Sequence, residues 1–113
     1  MKNTDKTTEN IKLSMLLDFY GQLLTQKARE IMELHYNEDI SFSEISENLG
    51  ITRQAVHDTV KRSVQALENY ESKLMLVNRF LGREKRITDA LSDLDNNRIE
   101  DARDKLKDLI TTL

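Results

Sequence analysis

The segment from Ser41 to Thr52 constrains the fold of this chain more than any other part of the sequence. Ser41-Phe42-Ser43-Glu44 has the pattern of a capping box, in which the serine accepts the backbone N–H three residues on and the glutamate reaches back. Gly50 stands where a short helix ends in a left-handed residue, a conformation that glycine adopts without steric cost. Thr52 is then placed to cap another helix. The pattern predicts two helices joined by a tight turn.

The residues within this segment fit a helix-turn-helix running from Ser41 to about Gln65. Ser46, four residues before Gly50, is the small residue that lets the two helices touch, where alanine is more usual. The apolar residues that lock the second helix across the first are Ile45, Leu49, Ile51 and Val56. In such motifs the N-terminal part of the second helix enters the major groove of DNA.

The rest of the chain also predicts helices, so we expect an all-α fold. Proline is absent, glycine occurs three times and 33% of the 113 residues are charged, a composition that favours long helices over turn-rich β structure. Apolar residues at three- and four-residue spacing predict a first helix over residues 10–24, weakened near its end by Gly21. Thr25 is the expected N-cap of a second helix, which ends near residues 37–39.

The helix after Thr52 is predicted to be long, because no glycine or proline interrupts residues 53–81. From Leu67 to Leu81 its apolar residues are spaced by 3, 4, 3 and 4, and the helix would extend roughly 43 Å, further than a small domain is wide. Gly82 is expected to end it. Two short helices, over about 87–94 and 99–110, should then form a C-terminal hairpin.

These elements predict how the chain is organised. Residues 1–66 form a helix-turn-helix DNA-binding domain, and residues 67–113 carry the extension of the long helix and the C-terminal hairpin. We expect the two parts to make one structural unit, since 113 residues suit a single core. The second part is the predicted dimerisation region, because the far end of the long helix needs something to pack against.

The residue content excludes several function classes. Without cysteine there are no disulfides, thiolate zinc sites or cysteine nucleophiles, and two histidines are a poor basis for a metal cluster. No group of side chains recurs at catalytic spacing, so we expect no enzyme, cofactor or metal. Residues 1–10 lack an apolar signal core, and no apolar run reaches the roughly 18 residues of a membrane span. We therefore expect a cytoplasmic location.

The charge is unevenly distributed. The net charge of −3 divides into −4 for residues 1–51, +4 for residues 52–86 and −3 for residues 87–113. The positive block begins at the second helix of the helix-turn-helix, where a protein that binds phosphates needs it.

The candidate nucleic-acid contacts lie in the first turns of that helix. Arg53 has the chemistry to contact guanine O6 and N7 together, and Gln54 to contact adenine. Thr52, at the helix N-terminus, suits a phosphate, whereas Asp58 would have to accept from cytosine or face away from the DNA. The predicted contact residues are Thr52, Arg53, Gln54, His57, Lys61 and Arg62.

Two alternatives remain open at this point. A helix-turn-helix can serve protein contacts alone, and the acidic total and Asp58 favour that reading. A second basic block either binds a nucleic-acid backbone or pairs with the acidic C-terminal residues. Its members are Lys73, Arg79, Arg83, Lys85 and Arg86.

Residues 25–67 resemble region 4 of bacterial sigma-70-type factors. The resemblance is carried by Lys27-Ala28-Arg29-Glu30-Ile31 and by the run from Ser41 to Val56, SFSEISENLGITRQAV. It implies a sigma-70 region 4-like helix-turn-helix with a long recognition helix. A sigma factor also needs an upstream domain that melts promoter DNA, and we expect none in the residues before Thr25.

The whole chain, with its leader helix and acidic helical tail, is similar to the YlxM family of small bacterial proteins, whose genes commonly lie beside those of the signal recognition particle. The resemblance implies a DNA-binding regulator with a suggested link to that particle and no catalytic residues. We expect duplex DNA and a second copy of the chain as partners. The alternative is a module that binds protein or RNA of the signal recognition particle without sequence-specific DNA binding.

Overall fold

The computed structural model describes the backbone of residues 4–111 and the side chains of residues 8–111. Within that range the chain forms six α-helices and no strand, which confirms the all-α prediction. The helices are α1 Thr4–Tyr20, α2 Gln26–Tyr36, α3 Phe42–Leu49, α4 Arg53–Leu74, α5 Leu76–Asp95 and α6 Ile99–Thr111. The chain divides into two compact units, 1–75 and 76–113, and the predicted domain boundary after residue 66 lies inside α4.

The first unit packs α1, α2 and α3 around α4. Its largest fully buried side chains are Leu16, Tyr20, Ile31, Met32, Ile45, Val56 and Leu67. Tyr20 also carries a polar contact, because its hydroxyl donates to Glu71 Oε1 at 2.6 Å and its ring centroid lies 6.0 Å from that of Tyr70. The end of α1 is thus tied to the C-terminal part of α4.

The join between α1 and α2 differs from the prediction. The first helix begins at Thr4 and ends at Tyr20 rather than running over 10–24, and Gly21–Leu23 form a single 3₁₀ turn. Thr25 then caps α2 as predicted, with its hydroxyl accepting from the Ala28 N–H at 3.2 Å. Gly21 is buried next to Leu17. It is the first residue after α1, where the chain leaves the axis of that helix.

The long helix is shorter than the sequence predicts. It ends at Leu74 rather than Leu81, because Met75 adopts a left-handed conformation with φ 56° and ψ 29°. The Met75 N–H still donates to the Glu71 carbonyl at 2.9 Å. A non-glycine residue in this conformation is uncommon and costs about 1–2 kcal/mol.

The second unit is an antiparallel hairpin of α5 and α6. Its first helix is much longer than the predicted 87–94, since Gly82 lies inside α5 and does not end a helix. Asn97, with φ 62°, makes the turn between the two helices, and the Arg98 N–H donates to the Asp93 carbonyl at 2.7 Å. The predicted C-terminal hairpin is therefore present, with α5 starting directly after Met75.

Candidate nucleic-acid interface

The turn between α3 and α4 has the predicted geometry. Ser41 Oγ accepts from the Glu44 N–H at 3.1 Å, and the Glu44 carboxylate meets the Ser41 hydroxyl at 3.4 Å. Gly50 is left-handed with φ 67°, and the next N–H, of Ile51, returns to the Ser46 carbonyl at 3.1 Å. Ser46 is buried and donates to the Ser43 carbonyl, so a serine fills the close contact between the helices without leaving its hydroxyl unpaired.

The capping of α4 fixes the start of the second helix of the helix-turn-helix. Thr52 has an extended backbone, and its hydroxyl accepts from the Ala55 N–H at 3.0 Å. The Thr52 hydroxyl is therefore engaged in the cap. A phosphate bound at this position would contact the N-terminus of α4 and not this hydroxyl. The inner face of α4 is formed by Val56, Val60, Ser63 and Leu67, all buried.

The other five predicted contact residues lie on the exposed side of α4. They form two rows at four-residue spacing, which on a helix places successive members above one another. One row contains Arg53, His57 and Lys61. The other contains Gln54 and Arg62, with Asp58 between them. The structure thus brings the five residues together on one surface.

Asp58, the predicted obstacle to DNA binding, is paired within its own helix. Gln54 Nε2 donates to Asp58 Oδ1 at 3.0 Å across one helical turn. Such exposed amide–carboxylate pairs contribute only about 0.2–0.5 kcal/mol, so a base that offers better partners can replace the pair. Sequence alone did not predict this contact, since it depends on two side-chain rotamers.

His57 has a structural partner that the sequence did not indicate. Its ring stands edge-on to Phe42, with centroids 4.7 Å apart and an interplanar angle of 78°. The ring centroid of Phe42 also lies 4.3 Å from that of His35, and His35 Nδ1 lies 2.8 Å from the Ile40 carbonyl oxygen. His57 remains exposed, but its ring orientation is set by packing on α3.

An open groove of about 620 Å³ borders this surface, between the start of α2 and α4. Small residues line it, among them Ala28, Ala55 and Ala66, together with the charged Lys27, Asp58 and Arg62. Sequence reasoning did not include Lys27 among the candidate contact residues. In the described part of the molecule, Lys27, Arg53, Lys61 and Arg62 have no carboxylate partner.

The second unit buries an ion-paired carboxylate together with small apolar side chains. Asp93 is 3% exposed, and its carboxylate lies 2.6 Å from Lys105 Nζ and 3.3 Å from Arg98 Nη2. The hydrogen bond from Lys105, with the charge of Arg98, holds the pKa of Asp93 below its usual value, and the same bond raises the pKa of Lys105. This member of the acidic tail is thus paired within the hairpin, by residues outside the basic block.

Among the described residues, no group of three or more His, Cys, Asp or Glu side chains is arranged to hold a metal ion.

In the same range, no helix has both the length and the apolar character needed to cross a bilayer.

The fold and the capped turn define a helix-turn-helix protein. Comparison with known proteins gives the particular family: the chain belongs to the UPF0122 family of helix-turn-helix proteins, described as YlxM / p13 like, whose model matches residues 7–109. A UPF0122 protein of Oceanobacillus iheyensis is 43% identical over 105 residues, covering 93% of this chain and 97% of its own. One from Clostridium kluyveri is 42% identical over 105 residues, covering 90% and 95%. The predicted family is confirmed.

Proposed function

We propose that this protein is a regulator that binds duplex DNA through the exposed surface of α4. The observation that carries the proposal is the surface formed by Arg53, Gln54, His57, Lys61 and Arg62, which projects from a capped recognition helix. Its three cations have no carboxylate partner within the described structure, so phosphates can neutralise them without first breaking ion pairs.

The bases are read, on this proposal, from the first turns of α4. Arg53 lies in the first turn, and its guanidinium suits the paired acceptors of guanine. Gln54 contacts adenine once it leaves Asp58, and Lys61 and Arg62, further along the helix, contact phosphates. A protein that acts on DNA in a bacterial cell works in the cytoplasm, and we place this one there.

Selection of bound fragments from random duplex DNA and from cellular RNA, in parallel, tests the proposal. We expect enrichment of a duplex sequence, with Arg53→Ala weakening binding by about 1–3 kcal/mol and relaxing specificity mainly at one base pair. Lys12→Ala, an exposed cation on α1, is the control and should bind as the wild type does. Failure of the folded protein to bind duplex DNA at low salt would exclude this function.

We further propose that the protein acts as a homodimer through the α5–α6 hairpin. Helix-turn-helix proteins that form dimers with two-fold symmetry bind two half-sites about one turn of the DNA helix apart. The selected DNA sequence should therefore be a pseudo-palindrome. Support comes from the hairpin itself, which exposes large apolar side chains on both of its helices.

A link to the signal recognition particle is a second candidate, suggested by the family resemblance and by the same exposed apolar side chains. Capture of a particle protein from lysate that survives nuclease treatment would favour protein contact. Capture that is lost with nuclease would favour an RNA or DNA bridge.

A further inference from the structure

The α5–α6 hairpin carries one continuous apolar face. Six large side chains on it are each 42–72% exposed: Ile87, Leu91, Leu94, Ile99, Leu106 and Ile110. Those on α5 are separated by four and three residues, and those on α6 by seven and four, the spacings of a helical seam.

The position of this face follows from the contact between the helices. Asp93 and Lys105 mark that contact, and each is followed directly by a member of the apolar face, Leu94 and Leu106. One residue forward rotates about 100° around a helix. Because α5 and α6 point in opposite directions, the same rotation on each leads to the same side of the hairpin.

The hairpin has little apolar core of its own. In its described part the buried apolar side chains are Val77, Ala90 and Ala102, which are small. Monomeric proteins rarely leave a large contiguous apolar patch exposed, and two stacked hairpins make a four-helix bundle, a stable arrangement with an apolar centre. A second hairpin therefore fits this face.

The charges along the two edges of the face indicate how two copies would pair. On α5 the outer edge carries Glu84 and Asp95, and on α6 it carries Arg103 and Lys107, with Glu100 near the turn. The α5 edge is therefore acidic and the α6 edge basic overall. In a face-to-face pair with the two-fold axis along the helices, each acidic edge meets a basic one. With the axis across the helices, like edges meet.

We propose that two copies of the chain pair through this face with the two-fold axis parallel to the helices, so that α5 of one lies over α6 of the other. Ile87 and Leu106 then contribute to the centre of a four-helix bundle, and Glu84 lies near Lys107 of the partner subunit. This arrangement rests on the homodimer in the proposed function and specifies its interface. It does not depend on DNA binding by α4.

Sedimentation of the full chain tests the face. Ile87→Asn should shift the protein from dimer to monomer while its helical circular dichroism is retained, because Ile87 is already 50% exposed in the chain. The matched control is Ile11→Asn on α1, where Ile11 is 58% exposed, and it should remain a dimer. A wild-type monomer, or an Ile87→Asn dimer of wild-type affinity, would overturn the proposal.

Charge reversal tests the direction of the axis. Glu84→Lys and Lys107→Glu should each weaken the dimer, on the order of 10-fold in Kd, because each change places like charges together twice in a symmetric pair. Mixing the two variants should restore wild-type affinity, since in the mixed dimer both edges again carry opposite charges. Single variants with unchanged Kd would show that like edges already meet and would contradict this arrangement.

Discussion

The two units of this molecule differ in what their helices bury. The first encloses Leu16, Tyr20, Ile31 and other large apolar side chains around α4, whereas the hairpin buries small residues and the Asp93 carboxylate. Burial of a large apolar side chain contributes about 1.5–3 kcal/mol, and alanine contributes much less. The first unit therefore has the core of an independent domain, and the hairpin depends on what covers its apolar face.

The largest expected effect comes from removing the same side chain in each unit. Leu67→Ala, at a position with no exposed surface, should lower the free energy of unfolding by about 2–5 kcal/mol, since it leaves a cavity. Leu91→Ala, where the leucine is 58% exposed, should cost less than about 0.5 kcal/mol in dilute, dissociated protein. Urea denaturation measures both. An equal loss of unfolding free energy in the two variants would contradict the difference in apolar burial between the units.

A smaller effect is expected at the glycines, with opposite signs in the two units. Gly50 is left-handed at φ 67°, so Gly50→Ala should destabilise the first unit by about 1–2 kcal/mol. Gly82 lies inside α5, and a Cβ added there meets no atom within 4 Å. Gly82→Ala should therefore stabilise the hairpin by about 0.5–1 kcal/mol. Thermal unfolding of the two variants would show the opposite shifts, and shifts of the same sign would contradict them.

The pH dependence of the hairpin should give the smallest effect, because the side chains of Arg98 and Lys105 are 57% and 43% exposed and solvent screens such pairs. The pKa of Asp93 is lowered from 3.8, so its contribution to stability is present above that value and is lost as the pH falls through the folded pKa. The pKa of Lys105 is raised from 10.5, so its contribution is present below that value and is lost as the pH rises through the folded pKa.

Nuclear magnetic resonance of the Ala90 and Ala102 methyl groups, which are buried in the hairpin, would follow these transitions. Asp93→Asn should lower the melting temperature of the hairpin at neutral pH and flatten the acid transition. An acid transition of the hairpin that is unchanged in Asp93→Asn would exclude this pair as its cause.

Local chemical signals made the first unit predictable. Ser41, Gly50 and Thr52 each satisfy a backbone need that few other residues meet, and the structure has all three as expected. The end of α4 could not be predicted in the same way, because Met75 carries no signal for a left-handed conformation. Gly82 was expected to end a helix but lies inside α5, since an exposed glycine within a helix is tolerated at a cost of about 1 kcal/mol.

The candidate site was predictable in position but not in detail. The buried seam of Val56, Val60 and Leu67 determines which side of α4 faces outward, and helical spacing alone identifies it. The bond from Gln54 to Asp58 and the packing of His57 on Phe42 depend on rotamers and on the crossing of α3 with α4. Periodicity contains neither kind of information.

On the proposed function the cations on α4 neutralise DNA phosphates, and the salt dependence of duplex binding tests this role. Fluorescence anisotropy with a labelled duplex should show affinity falling steeply with salt. In the double variant Lys61→Ala and Arg62→Ala, the slope of log K against log salt should be smaller by about one for each phosphate contact removed. Lys12→Ala should keep the wild-type slope. Duplex binding with the same slope in the double variant and the wild type would contradict the claim.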